Sequence, residues 1–177
     1  MENPFIFGRA AEGPYFTDRK EDARRLESNL THGIHTILIS PRRWGKTSLV
    51  KKVIAHVDRK DIRFVFVDIF RCKSEQDFMR TYANSVIKQT STKMEEWVET
   101  AKEFLSNISP KFSFSSDPMN DFSVSFDWNP REDSADSILV LPQRIAENKG
   151  IHLVICIDEF QQIAEFSDSV TFQKRLR

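Results

Sequence analysis

Gly45-Lys46-Thr47 stands between two patterns that cannot belong to one element. Upstream, His35–Ser40 reads HTILIS, a short β-branched run suited to a buried parallel strand. Downstream, Leu49, Val50, Val53, Ile54 and Val57 recur at helical spacing. The chain must turn from strand to helix within a few residues. A G-K-[ST] at such a turn is where backbone N–H groups, helped by the helix dipole, meet phosphate oxygens. In the full pattern G-x-x-x-x-G-K-[ST] the first glycine falls at position 40, which is Ser40 here. Serine is small, Pro41 already restricts the chain, and the close approach at Gly45 is kept. The candidate phosphate-contacting set is therefore Ser40, Pro41, Arg42, Arg43, Trp44, Gly45, Lys46, Thr47 and Ser48. Lys46 can reach the β/γ phosphates and the Thr47 hydroxyl can ligate Mg²⁺. Arg42 and Arg43 suit a phosphate or partner contact, or a solvated pair of charges.

Such a loop needs an acid at the C-terminal end of a core strand to complete the metal shell. Ile151–Phe160 reads IHLVICIDEF, and Asp158 follows four apolar residues, Val154–Ile157. Glu159, next to it, can orient and deprotonate an attacking water. Asp68, at the end of the apolar run Ile62–Phe70, is a rival acid of the kind used in small-molecule kinases, or a local hydrogen-bond acceptor.

The remaining elements follow from periodicity and punctuation. Asp18 with Glu21 resembles a capping box; Ala23, Leu26 and Leu30 then line one helix face, and Gly33 supplies a stop. Ser74 opens a helix carrying Phe78, Tyr82 and Val86 on one face, and Met94, Trp97, Val98, Ala101, Leu105 and Ile108 give another. Lys111–Trp128 alternates apolar and polar residues on both sides of SDPMND, a hairpin pattern. Ser134–Lys149 returns to helix with a break at Pro142, and a short helical stretch runs out to Arg177. This order predicts an α/β fold, a parallel sheet with helices on both faces and an inserted β-hairpin over 109–131.

Lys+Arg and Asp+Glu number 26 each, so no global charge draws the chain to nucleic acid or an anionic membrane. The N-terminus lacks the basic start and apolar stretch of a signal peptide, and no apolar run approaches the roughly 20 residues of a membrane span. Cys72 and Cys156 have no metal-ligand neighbours at useful spacing and read as reduced structural thiols. The expected location is the cytoplasm.

SPRRWGKTSLV together with LVICIDEFQQI resembles the AAA+-related P-loop ATPases of the archaeal/bacterial ATPase family, near the STAND group. Tyr15–Leu30, YFTDRKEDARRLESNL, looks like that family's F-x-D-R box. The resemblance implies a P-loop NTPase domain of ASCE type over residues 1–177, with Walker A and Walker B motifs, and makes this chain the N-terminal part of such a domain, the C-terminal part lying beyond it. It implies ATP over GTP, with Mg²⁺ held by Thr47 and Asp158, and makes Lys46 and Glu159 the catalytic pair of a hydrolase. It also places Phe5–Arg19 beside the adenine base, where Phe16 could stack. On this reading the chain is an ATP-driven switch, with self-association or a protein partner left unidentified. The alternatives are a small-molecule kinase using Asp68, and a non-catalytic module whose hairpin aromatics, Phe112, Phe114, Phe122, Phe126 and Trp128, dock a partner or single-stranded nucleic acid.

Overall fold

The computed structural model describes residues 19–41, 44–105, 112–116, 122–126 and 132–176. Along the chain run α1 (Lys20–Thr31), α2 (Lys46–His56), β1 (Ile62–Asp68), α3 (Glu75–Thr90) and α4 (Met94–Leu105). Then follow β2 (Phe112–Ser116), β3 (Phe122–Phe126), α5 (Glu132–Leu139), α6 (Leu141–Lys149) and β4 (His152–Asp158). A 3-10 turn over Phe160–Glu165 leads into α7 (Ser169–Arg175). These elements divide into two compact units, residues 1–62 and residues 63–177.

In the first unit α1 and α2 bury Leu26, Leu49 and Val53 against one another, with Ala23, Leu30, Leu38, Val50 and Val57 around them. The N-cap of α1 is not the expected Asp18, which lies outside the described residues, but Arg19. The end of α1 is as expected. Gly33 takes φ +70°, and the N–H groups of Gly33 and Ile34 turn back to the carbonyls of Leu30 and Asn29. That is the pair of bonds closing a helix through a left-handed residue, a conformation glycine adopts without steric cost.

His35–Ser40 departs from the expected buried strand. The segment carries no strand, and Ile37 and Ile39 are 85% and 92% exposed. Leu38 packs against the α1–α2 core, so the side chains do alternate, but helices offer no backbone edge. A run becomes a strand only where a neighbouring strand accepts its N–H and C=O groups.

In the second unit β1 and β4 form a two-stranded parallel sheet, one strand fewer than the three expected. Val65 and Val67 of β1 and Ile69 after it are fully buried, under α3 residues Phe78, Met79, Ala83, Val86 and Ile87. Ala135, Ile138, Leu141 and Ile145 of α5 and α6 and Phe172 of α7 join this core. Phe78 meets Phe172 edge-on at 5.0 Å between ring centroids and stacks on Tyr82 at 5.6 Å. β4 is half-buried rather than buried, because among the described residues it has a strand neighbour on one side only.

Polar contacts fix the helices. Ser74 Oγ accepts the Asp77 N–H while Asp77 Oδ2 accepts the Lys73 N–H, closing the start of α3. Lys149 at the end of α6 donates to the Thr90 carbonyl and to Glu96, tying α3, α4 and α6 together. Arg175 of α7 donates to Glu75 of α3 at 2.7 Å. Gln89 takes both backbone groups of Phe66 in β1: the N–H donates to Oε1, and Nε2 donates to the carbonyl, each at 2.8 Å.

The helix expected over Ser134–Lys149 breaks at Val140, and Pro142 sits in the first turn of α6, where it removes no helix hydrogen bond. Ile108, expected in α4, lies outside the described residues. β2 and β3 pair antiparallel, with Phe112 opposite Phe126, Phe114 opposite Val124, and serine opposite serine between them. The turn between them and the outer limits at 109–131 lie outside the described residues.

Candidate functional site: a phosphate loop and an acid strand end

The loop residues sit in the first unit. Ser40 does not take a positive φ, so the backbone there does not call for the glycine of the full pattern. Its hydroxyl oxygen is buried and has no hydrogen-bond partner among the described residues. At Gly45 the requirement is real: φ is +70° and ψ 29°, and this residue caps α2. Among the described residues a Cβ there would meet only the Ser48 Cβ, at 4.0 Å, so the backbone angle and not crowding selects glycine. The first bond of α2 runs from the Leu49 N–H to the Gly45 carbonyl, so the amides of Lys46, Thr47 and Ser48 precede it at the positive end of the helix dipole.

Lys46 folds its ammonium back over the loop, donating to the carbonyls of Ser40 at 2.9 Å and Pro41 at 3.2 Å. Thr47 is half-buried and Ser48 buried, while Trp44 is 66% exposed and Pro41 is exposed. Arg42, Arg43 and the proposed adenine contact Phe16 lie outside the described residues.

Arg19, placed by the family resemblance only as the end of the segment beside the adenine base, makes a contact of its own here. Arg19 adopts φ 64° and ψ 30°, a left-handed conformation uncommon for a residue other than glycine. Its Nε donates to Asp22 at 2.8 Å and its Nη1 to the carbonyl of Trp44 at 2.9 Å. The FTDR string held the signal, but a contact spanning 25 residues has no local signature.

The acids sit in the second unit. Asp158 ends β4; its carbonyl accepts the Ile69 N–H at 3.3 Å, and its Oδ1 accepts the Glu159 N–H at 3.0 Å. Glu159 is the other described non-glycine residue with positive φ, at 57°. Its carboxylate accepts a hydrogen bond from Gln161. Asp68, at the end of β1, has Oδ1 occupied by the Phe70 N–H at 2.9 Å, the local role weighed against a catalytic one.

The two thiols are free. Burial pushes the Cys156 thiol up to about 11 and also raises Cys72, which donates to Thr81. Both stay protonated near neutral pH and offer no thiolate nucleophile.

Each unit by itself carries groups whose chemistry suits a magnesium nucleotide. A helix N-terminus and an ammonium suit phosphate oxygens, and a hydroxyl and a carboxylate are hard oxygen ligands. Among the described residues no three His, Cys, Asp or Glu side chains gather into a metal cage. Magnesium carried on phosphates needs only one or two protein ligands. No described helix is long and apolar enough to cross a membrane.

No curated protein and no solved structure matches the chain. Residues 16–176 match the family of ATPase domains found predominantly in Archaea, which covers the loop, the acid strand and nearly all between and beyond them. The chain is therefore a member of this archaeal ATPase family, a P-loop domain of AAA-like type that binds nucleotide.

Proposed function

We propose that this domain binds Mg-ATP through residues 40–48 and hydrolyses it with Glu159 as the base, as a switch of AAA+ type. The observation that carries the reading is Gly45 in left-handed conformation at the head of α2, with Lys46 folded over the loop carbonyls. The amides of Gly45, Lys46, Thr47 and Ser48 would bind the phosphates, and Lys46 would exchange its carbonyl partners for β/γ oxygens. Thr47 and Asp158 would hold the magnesium ion. When bound, that ion neutralises charge building on the phosphoryl oxygens. Glu159 would accept the proton of the attacking water, and its carboxylate would leave Gln161 to do so. Arg42 and Arg43 are assigned to phosphate and Phe16 to the adenine face. Hydrolysis would then drive a rearrangement read by a protein partner or a second copy.

The test is calorimetric titration of Mg-ATP and Mg-GTP into the wild-type chain and Lys46→Ala, with turnover measured for Glu159→Gln. Saturable binding that prefers ATP is expected for the wild type, with at least a tenfold loss in Lys46→Ala. Glu159→Gln is expected to bind ATP normally and turn it over at least a hundredfold more slowly. Wild-type binding left intact by Lys46→Ala would sink the assignment of the loop.

A further inference from the structure

We propose that Arg19 is a positioning residue for the phosphate loop, a clamp that sets the direction of the Gly45 amide. This deepens the proposed function, resting on the reading of residues 40–48 as a phosphate loop. The contact itself stands apart from that reading.

The argument starts from a peptide plane. The bond between Trp44 and Gly45 is trans, as are all described peptides, so its C=O and N–H point in opposite directions. Arg19 Nη1 holds the Trp44 carbonyl at 2.9 Å. Fixing that oxygen on one side fixes the Gly45 N–H on the other, at the residue where the chain enters α2. Trp44 is 66% exposed, so side-chain burial does little to orient this peptide.

The clamp is itself held. Asp22 accepts from Nε of the same guanidinium at 2.8 Å, leaving Nη1 to reach the loop. The backbone of Arg19 is fixed too: its carbonyl accepts the first bond of α1, from the Ala23 N–H at 3.0 Å. Its left-handed conformation is one a side-chain-bearing residue seldom takes. The guanidinium fork serves both acceptors from separate nitrogens, which a lysine with one nitrogen cannot reproduce. Arg19 thus joins the start of α1 to the start of α2.

The test uses Arg19→Gly, Arg19→Lys and Asp22→Ala beside Lys46→Ala. Arg19→Gly relaxes the backbone and removes the side chain, so its thermal stability should hold or rise. Amide exchange at Gly45–Ser48 in the nucleotide-free protein should quicken severalfold, and ATP affinity should fall about tenfold, the worth of one charge-assisted hydrogen bond. Arg19→Lys keeps the backbone strain and should match Arg19→Gly in amide exchange and ATP affinity, without its gain in stability. Asp22→Ala should also weaken ATP binding, although it removes a negative charge. Unchanged exchange in Arg19→Gly overturns the clamp, as does wild-type ATP affinity in Arg19→Lys. Tighter ATP binding by Asp22→Ala would do the same, since it would make Arg19 a plain positive charge. Faster exchange in Arg19→Gly with no ATP binding by the wild type would keep the clamp and remove the nucleotide reading. Loss of binding in Lys46→Ala with normal exchange and affinity in the Arg19 variants would do the reverse.

Discussion

In the unit carrying the loop, the described residues of α1 and α2 pack a small cluster around Leu26, Leu49 and Val53, whereas the unit carrying the acids buries a layer reaching from β1 through α3, α5 and α6 to α7. The candidate groups are held accordingly. The loop depends on directional polar contacts: Arg19 on the Trp44 carbonyl, Lys46 on two more carbonyls, and Asn29 on Thr36. The acid at the end of β4 is held by the Ile69 amide, at the rim of a filled core. A small core cannot orient a loop by side-chain interdigitation alone, so hydrogen bonds and left-handed residues take over that task.

The largest expected effect separates the two cores. Phe78→Ala should cost about 3–5 kcal/mol, because Phe78 is fully buried between Tyr82 and Phe172. Leu49→Ala should cost about 2 kcal/mol, the low end for leucine, because the half-buried side chains around it can close on the gap. Denaturant unfolding of both variants checks this; equal costs would break the contrast.

A smaller effect concerns the Lys149–Glu96 tie. Lys149 and the amide and hydroxyl of Thr92 hold the Glu96 carboxyl at about 2, below its ordinary 4.5. A lowered folded-state value means the stabilisation is full above pH 4.5 and is lost as pH falls towards 2. The Glu96 side chain is 36% exposed, so solvent screening limits the tie to about 1 kcal/mol. Lys149→Met should therefore be less stable than the wild type by that amount at pH 7, the difference shrinking below pH 4.5. A difference that stays constant down to pH 2.5 would locate the effect elsewhere.

The smallest effect has the opposite sign. Glu159→Gly should raise stability by about 0.5–1 kcal/mol, because glycine takes φ 57° without the steric cost. The same change deletes the proposed base. A fall in melting temperature would show that Glu159 is not under strain.

Much of this was readable from residue pattern. β1, the Ser74 start of α3 and the Gly33 stop are local, set by side-chain period or by one cap residue. The start of α2 just after Gly45 was readable because a helix-period run begins there and glycine suits the turn into it. His35–Ser40 was misread because strand character depends on a pairing partner that the run does not specify. The contact of Arg19 with the loop is illegible for a like reason: its acceptor, the Trp44 carbonyl, is a backbone atom common to every residue. Phe16, Arg42 and Arg43 fall outside the described residues.

The amide of Gln89 has a consequence for growth of the sheet. Alternate residues of a strand present their N–H and C=O to opposite sides, and Ile69 faces β4, so Phe66 faces away from it. Gln89 satisfies both groups of Phe66 with one side chain, imitating the rung that another strand would add. A rung already satisfied in this way is a poorer template for a foreign chain, one way an apolar strand is guarded against edge-to-edge aggregation. At Phe66, therefore, the outer flank of β1 offers no open rung to an added strand.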